Sequence, residues 1–292
     1  MLDARGKITR GRIQLQRTHP FFAYLVLNLN PIEMTKEQEK ECEAELGFAS
    51  MAVNLRGDLI YSPTFVDSLS DEDLQFVLCH EVSHIFCEHL TRLGNRHPLI
   101  HNISADIIVN DLLLNNGFNF SDKHGAILPV NHEFMLDNYK VKDIDKKTTE
   151  GIYDEIEGLL RNKLKKLLEG NKLGRFDRHI QASSNGKSAN MSKEEIEKLK
   201  KAWKHKVIEA TTIAKNAGNV PLGLDRHIEA LLDEKINWRA LLYRYVTNTL
   251  VHDYSYSFPS KKSLASGIYM PHLKKEELEI VVIADRSGSI SQ

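Results

Sequence analysis

Cysteine is scarce in this chain, three among 292 residues, and Cys42, Cys79 and Cys87 show no scaffold spacing. Cys79 and Cys87 lie eight apart on what reads as one helix, too far along its axis to bridge. A disulfide framework is thereby excluded, and buried or free thiols in a reducing cytoplasm are the expectation. An excess of either charge is lacking too, with 39 basic against 40 acidic residues. No field draws such a chain to nucleic acid or to an anionic membrane. Long apolar runs are missing: none approaches a membrane span, and Met1-Leu2-Asp3-Ala4-Arg5 has no signal-peptide core. No internal repeat is present. The length suits one large domain or two modest ones, with ample chain for a core.

What is there is His80-Glu81-Val82-Ser83-His84, an HExxH motif inside the apolar run Phe76-Val77-Leu78-Cys79 and Ile85-Phe86. Residues four apart on a helix share a face at about 6 Å, which lets both imidazoles reach one tetrahedral zinc ion. Glu81, beside the first ligand, can then act on a water rather than on the metal. Ser70-Asp71-Glu72-Asp73 supplies an N-cap and acidic charge for the first turn, and Gly94-Asn95 reads as the stop. The residues between are apolar nearly all round, so the helix belongs in a core. Short motifs of this kind also occur by chance on solvated faces. Burial argues otherwise, because two histidines and a glutamate in a buried helix need compensation and a metal is the simplest.

Residues 1–50 read as mainly helical, with Pro31 at the head of Ile32-Glu33-Met34-Thr35 and a charged run from Lys36 to Glu45. Ser50 to Leu55 and Leu59-Ile60-Tyr61 flank Arg56-Gly57-Asp58 as a hairpin or edge strand with a glycine turn, and the Arg-Gly-Asp triplet is a plain turn. Pro98 to Asn116 reads as a second helix ended by Asn116-Gly117, residues 117–147 as loop, and Thr149 to Glu169 as a helix. Asn171 to Met191 has no apolar periodicity and reads as a linker. Ser192-Lys193-Glu194-Glu195 is a capping box opening a helix to about Ala217, and Trp238 begins another. Leu278 to Asp285 is a buried-type strand.

A catalytic zinc site usually takes a third protein ligand and keeps its fourth position open. His89, five residues past His84, lies about 140° round an ideal helix and is expected to face elsewhere. Cys87 is rotated away from the line of the two histidines. Asp106 is the better candidate, because Asn102, Asp106 and Asn110 form a polar stripe on the next, otherwise apolar helix. Helices joined by a short turn pack antiparallel, which sets the middle of one against the middle of the other. Asn102 and Asn110 then hold the carboxylate or the imidazoles. At the far end, Asp285, Ser287 and Ser289 follow the last strand, where an aspartate and two hydroxyls suit Mg²⁺.

These motifs in this order resemble a known family of metallopeptidases with an N-terminal zincin-like domain and a C-terminal von Willebrand factor A-like domain. The resemblance rests on Leu78 to His84 with His89 and Arg92, on Asn102 to Asp106 with Asn110, on Ile236-Asn237-Trp238-Arg239, on Asp253 to Tyr256 leading to Pro259-Ser260, on Tyr269-Met270-Pro271, and on Ile283 to Ser289. It implies an α+β, mainly helical fold with a small β-sheet. A zincin-like core would span residues 1–170, a flexible linker 171–191 and a helical extension 192–277. Residues 278–292 would hold the first strand and metal-site loop of an A-like domain. His80 and His84 are implied as zinc ligands, Glu81 as catalytic base, and Asp285, Ser287 and Ser289 as the beginning of a metal-ion-dependent adhesion site. A MoxR-type AAA+ ATPase is the implied partner. The departure is length, since an A-like domain needs far more chain than follows Ser289. A truncated A-like domain with an incomplete Mg²⁺ site is therefore expected.

Two functions follow. The first is a cytoplasmic zinc endopeptidase acting on peptide or protein, with Glu81 as general base. Tyr254, Tyr256, His124 or His101 would be its further donor to the scissile carbonyl, and the strand near residues 51–61 would hold an extended substrate. The second is a zinc-stabilised adaptor that cleaves nothing and hands clients to the ATPase. Glu81 favours the peptidase, because an adaptor has no use for a base.

Overall fold

The computed structural model describes residues 3–46, 50–121, 126–136, 138–170, 191–224, 253–259 and 271–274. Two units divide the chain, Met1–Leu231 and Leu232–Gln292. The architecture is α+β and mainly helical, with small sheets, as the sequence predicts. Among the described residues no helix is long and apolar enough to cross a membrane.

In the first unit, α1 (Ala4–Thr18) opens on Asp3, whose side chain accepts from the Gly6 N–H at 2.7 Å. Helix α2 (Pro20–Leu27) begins on a proline, where the missing N–H costs no bond. Then come β1 (Asn30–Glu33), α3 (Lys36–Leu46), β2 (Met51–Val53) and β3 (Asp58–Tyr61). The expected hairpin forms as β2 antiparallel to β3, turning at Gly57 with φ of 89°. The helical reading of residues 1–50 needs one correction at Pro31, which lies in β1, parallel to β3 on the sheet's other edge. Asn30 and Met34 donate to the carbonyls of Gly57, just before β3, and of Tyr61 at its end, so the intervening Pro31 falls at a position where no ladder donor is required.

After α4 (Pro63–Ser68), α5 (Asp71–Phe86) runs through the core with nearly every side chain buried. Ser70 caps it by accepting from the Asp73 N–H at 3.1 Å. The expected stop at Gly94-Asn95 is corrected, because α5 ends eight residues earlier, at Phe86. Glu88 takes a left-handed φ of 59°, its N–H donates to Ile85 O at 2.9 Å, and the His89 N–H donates to His84 O at 3.0 Å. That pair of bonds is a Schellman stop with glutamate in place of glycine. Helix α6 (Pro98–Asn115) ends by the same pair of bonds at Gly117, φ 82°, as expected.

The expected loop over 117–147 contains a further correction, a short hairpin of β4 (Phe134–Leu136) and β5 (Tyr139–Val141) followed by a 3-10 turn, Ile144–Lys146. Leu136, Val141 and Ile144 give it an apolar inner side that packs on α6 and α7 (Thr149–Gly170). Helix α6 thus serves two cores, Ile100, Ile103 and Ile107 facing α7, and Val109, Leu112 and Leu113 joining the cluster around α5. Helix α8 (Lys193–Asn216), opened by the Ser192–Glu195 capping box, lies on α2 and α5. Its Trp203 donates from the indole N–H to Leu55 O at 3.0 Å, and Lys200 pairs with Glu88 at 3.1 Å.

In the second unit, β6 (Asp253–Pro259) pairs antiparallel with β7 (Pro271–Lys274). All of the expected linker over 171–191 but Met191, the helix from Trp238, the strand over 278–285 and the loop with Asp285, Ser287 and Ser289 lie outside the described residues.

Candidate metal centre

Helices α5 and α6 supply the site between them. His80 and His84, one turn apart on α5, bring their Nε2 atoms to 3.0 Å. Asp106 on α6 places Oδ1 at 3.6 Å from the first and 3.3 Å from the second. All three are at least 95 % buried, and among the described residues they are the one group of three or more His, Cys, Asp or Glu donors that could hold a metal ion. Bonds of about 2.0–2.1 Å to a tetrahedral ion set ligand atoms about 3.3 Å apart, which is the spacing seen. Two nitrogen lone pairs and a carboxylate oxygen gathered out of water ask for a cation at their centre.

The polar stripe of α6 sets the orientation. Asn110 Oδ1 accepts from His80 Nδ1 at 2.7 Å, while its Nδ2 donates to Ile127 O, also at 2.7 Å. With Nδ2 committed as donor, Oδ1 must accept, so His80 carries its hydrogen on Nδ1 and turns the Nε2 lone pair inward. Asn102 Nδ2 donates to Asp106 Oδ2 at 3.2 Å, leaving Oδ1 toward the histidines. Of the two amides, one therefore holds an imidazole and the other the carboxylate. Phe76, stacked on His80 at 6.3 Å between ring centroids, and Phe120 beside Phe76 form an apolar wall. Glu81 is next to His80 on α5 and 1 % exposed.

His89 does not face elsewhere. The early stop of α5 removes the helical geometry behind that expectation and folds His89 back, its Nδ1 3.1 Å from His84 Nδ1. Its Nε2 lies 3.0 Å from Thr149 Oγ1, at the start of α7. Sequence reasoning turned His89 away from the pair and gave Thr149 no role there, since a non-glycine Schellman stop leaves no local mark. The nearby segment is tied to α7 by Arg92 and Glu150, Nε to Oε1 at 3.0 Å.

His101 is buried, its ring 6.4 Å from that of His89, and burial lowers its pKa. Cys42, Cys79 and Cys87 are buried thiols; burial raises Cys79 well above its ordinary value and pushes Cys87 up to about 12, which leaves both unreactive. His124 lies outside the described residues, and Tyr254 and Tyr256 belong to β6 of the second unit.

No curated protein and no solved structure matches the chain. One family model does match, over residues 4–274, a span that takes in α5, α6 and all three donors. By that match the chain belongs to the family described as "Putative metallopeptidase domain".

Proposed function

We propose that this chain is a zinc-dependent endopeptidase of the zincin type, in which His80, His84 and Asp106 hold Zn²⁺ and Glu81 is the general base. The observation that carries the proposal is the convergence of two Nε2 atoms and one carboxylate oxygen, at 3.0, 3.3 and 3.6 Å, in a buried place. Two histidines and a carboxylate are a donor set zinc takes in hydrolases. Bound there, zinc supplies a Lewis acid for a carbonyl and lowers the pKa of a water to near neutrality. Glu81, one residue from the first ligand, takes the proton of the attacking water and passes it to the leaving amine. Asn110 and Asn102 hold His80 and Asp106 in place, so little reorganisation is needed as charge develops. Phe76 and Phe120 keep water from the His80 side. Strand β2, an edge of its sheet packed on α5, is where an extended peptide would add as a further strand. In the same proposal the zincin-like core covers residues 1–170 and an A-like domain begins at 278, while the extension expected over 192–277 is not helical throughout, since β6 and β7 lie within it.

The test is elemental analysis of the purified chain together with cleavage of a peptide library by wild type and Glu81→Gln. One zinc per chain in both, with cleavage by the wild type alone, is expected. Zinc without cleavage in the wild type refutes the peptidase and favours the adaptor working with a MoxR-type ATPase. No zinc at all refutes both.

A further inference from the structure

His84 is the histidine of the pair whose outer nitrogen meets another imidazole. His84 Nδ1 lies 3.1 Å from His89 Nδ1, and His89 Nε2 lies 3.0 Å from Thr149 Oγ1, all in the interior. A contact between two ring nitrogens at that distance holds one hydrogen, so the tautomer of each ring dictates that of the next. His80 has no such choice, because Asn110 fixes its hydrogen on Nδ1.

Two occupants can join His80 Nε2 to His84 Nε2 across 3.0 Å. A hydrogen on His84 Nε2 does so, and leaves His84 Nδ1 an acceptor. His89 then donates from Nδ1 and accepts at Nε2 from the Thr149 hydroxyl. A divalent cation does so by taking both Nε2 lone pairs. His84 then carries its hydrogen on Nδ1, and His89 accepts there and donates from Nε2 to Thr149 Oγ1. In passing from the first to the second, one proton leaves His84 Nε2 for solvent. The hydrogen between the two Nδ1 atoms crosses to His84, the Thr149 hydroxyl hydrogen passes to His89 Nε2, and water restores it. Both rings stay neutral and no proton is lost overall.

We propose that His89 and Thr149 are positioning residues for His84, forming a hydrogen-bond relay whose direction reverses when a divalent cation binds. The relay rests on the zinc reading given above. Its outer end is the first residue of α7, and the adjacent Glu150 holds Arg92, so the segment bearing His89 is fixed to α7 at two points. The relay sets which nitrogen of His84 offers a lone pair, and α7 sets the relay.

The test uses the full chain, with zinc affinity from competition with a chromophoric chelator and tautomers from long-range proton–nitrogen spectra of ¹⁵N-histidine-labelled protein. Zinc is expected to move His84 from the Nε2–H to the Nδ1–H tautomer and His89 from Nδ1–H to Nε2–H. His89→Leu should weaken zinc binding about 10- to 100-fold, the range for losing an outer partner of a ligating histidine. His89→Asn, whose amide oxygen sits near the place of Nδ1, should recover most of that loss. Thr149→Val should weaken binding less than His89→Leu, and Thr149→Ser should not. If wild type binds zinc while the His89 tautomer stays put, or if His89→Leu binds as tightly as wild type, the relay is overturned and the zinc reading stands. Should His89→Leu fail to fold, the wild-type spectra and the Thr149 pair decide the matter. Wild type that takes no zinc overturns relay and zinc reading together.

Discussion

Asn110→Ala separates the orientation of a ligand from the stability of the fold. The side chain bridges His80 Nδ1 and Ile127 O through two bonds of 2.7 Å each and is 3 % exposed. Truncation leaves the buried His80 Nδ1–H unmatched, while the carbonyl of half-buried Ile127 can turn to water, so the zinc-free protein should lose about 1–3 kcal/mol. His80 also loses the group that fixes its tautomer, which should weaken zinc about 10- to 100-fold. Each factor of ten removes about 1.4 kcal/mol of the stabilisation that saturating zinc confers. Asn110→Asp is the control. It keeps an acceptor for His80 but sets a second carboxylate oxygen against Ile127 O, so stability should fall while zinc binding holds or tightens. Urea unfolding with and without zinc, together with chelator competition, reads both quantities. If Asn110→Ala loses stability but binds zinc as tightly as wild type, Asn110 is only a bridge between α6 and residue 127, and the argument for ligand orientation is wrong.

Asp106→Ala should abolish stoichiometric zinc, whereas Cys87→Ala should retain it; one equivalent surviving dialysis in the Asp106 variant would refute the third ligand. His132, 2.8 Å from Asp111, has its pKa raised above 6.5 chiefly by that hydrogen bond, while burial pushes the Asp111 carboxyl up against the pull of His132. A raised histidine stabilises fully below pH 6.5 and loses that contribution as pH climbs through the folded value, and a raised aspartate shift works in the same sense. With the imidazole 40 % exposed, the pair's worth is held to about 0.2–1 kcal/mol. Melting of wild type and His132→Gln should differ at about pH 6 and converge at about pH 9, and a gap that widens with pH would contradict the assignment. Gly57→Ala places a Cβ 2.8 Å from Trp203 Cζ2 at a φ of 89°, so a loss of about 2 kcal/mol or more in thermal unfolding is expected. An unchanged melting curve would mean that α8 does not rest on that turn.

The contrast between α5 and α6 shows what sequence can and cannot disclose. Both end in the same pair of backbone bonds, yet α6 carries glycine at the left-handed position and α5 carries glutamate. Asn116-Gly117 was therefore legible, and Glu88 was not, because nothing in its side chain prefers that conformation. The misplaced stop moved His89 onto an imaginary helical face, and the relay went unseen. The Asp106 reading depended only on periodicity within one helix and on a short connection to its neighbour, both local. Strand β1 and the β4–β5 hairpin were missed because their formation is settled by partners, β3 for one and the α6–α7 core for the other. The placement of His80 beside His84 was legible because i, i+4 spacing leaves no freedom on a formed helix.

The left-handed stop at Glu88 also gives the centre a thermodynamic connection to a helix distant in sequence. Lys200 of α8 pairs with Glu88, and Glu88 sets the turn that delivers His89 to His84. Whatever favours one end of that chain must favour the other by the same free energy, since binding couplings are reciprocal. The ion pair limits its size, about 1 kcal/mol for half-buried partners, or roughly fivefold in affinity. Zinc should therefore slow proteolysis within α8 by about that factor, and Lys200→Met should weaken zinc by no more than the same. A larger effect would mean that α8 acts on the site through its packing against α5 rather than through this one charge.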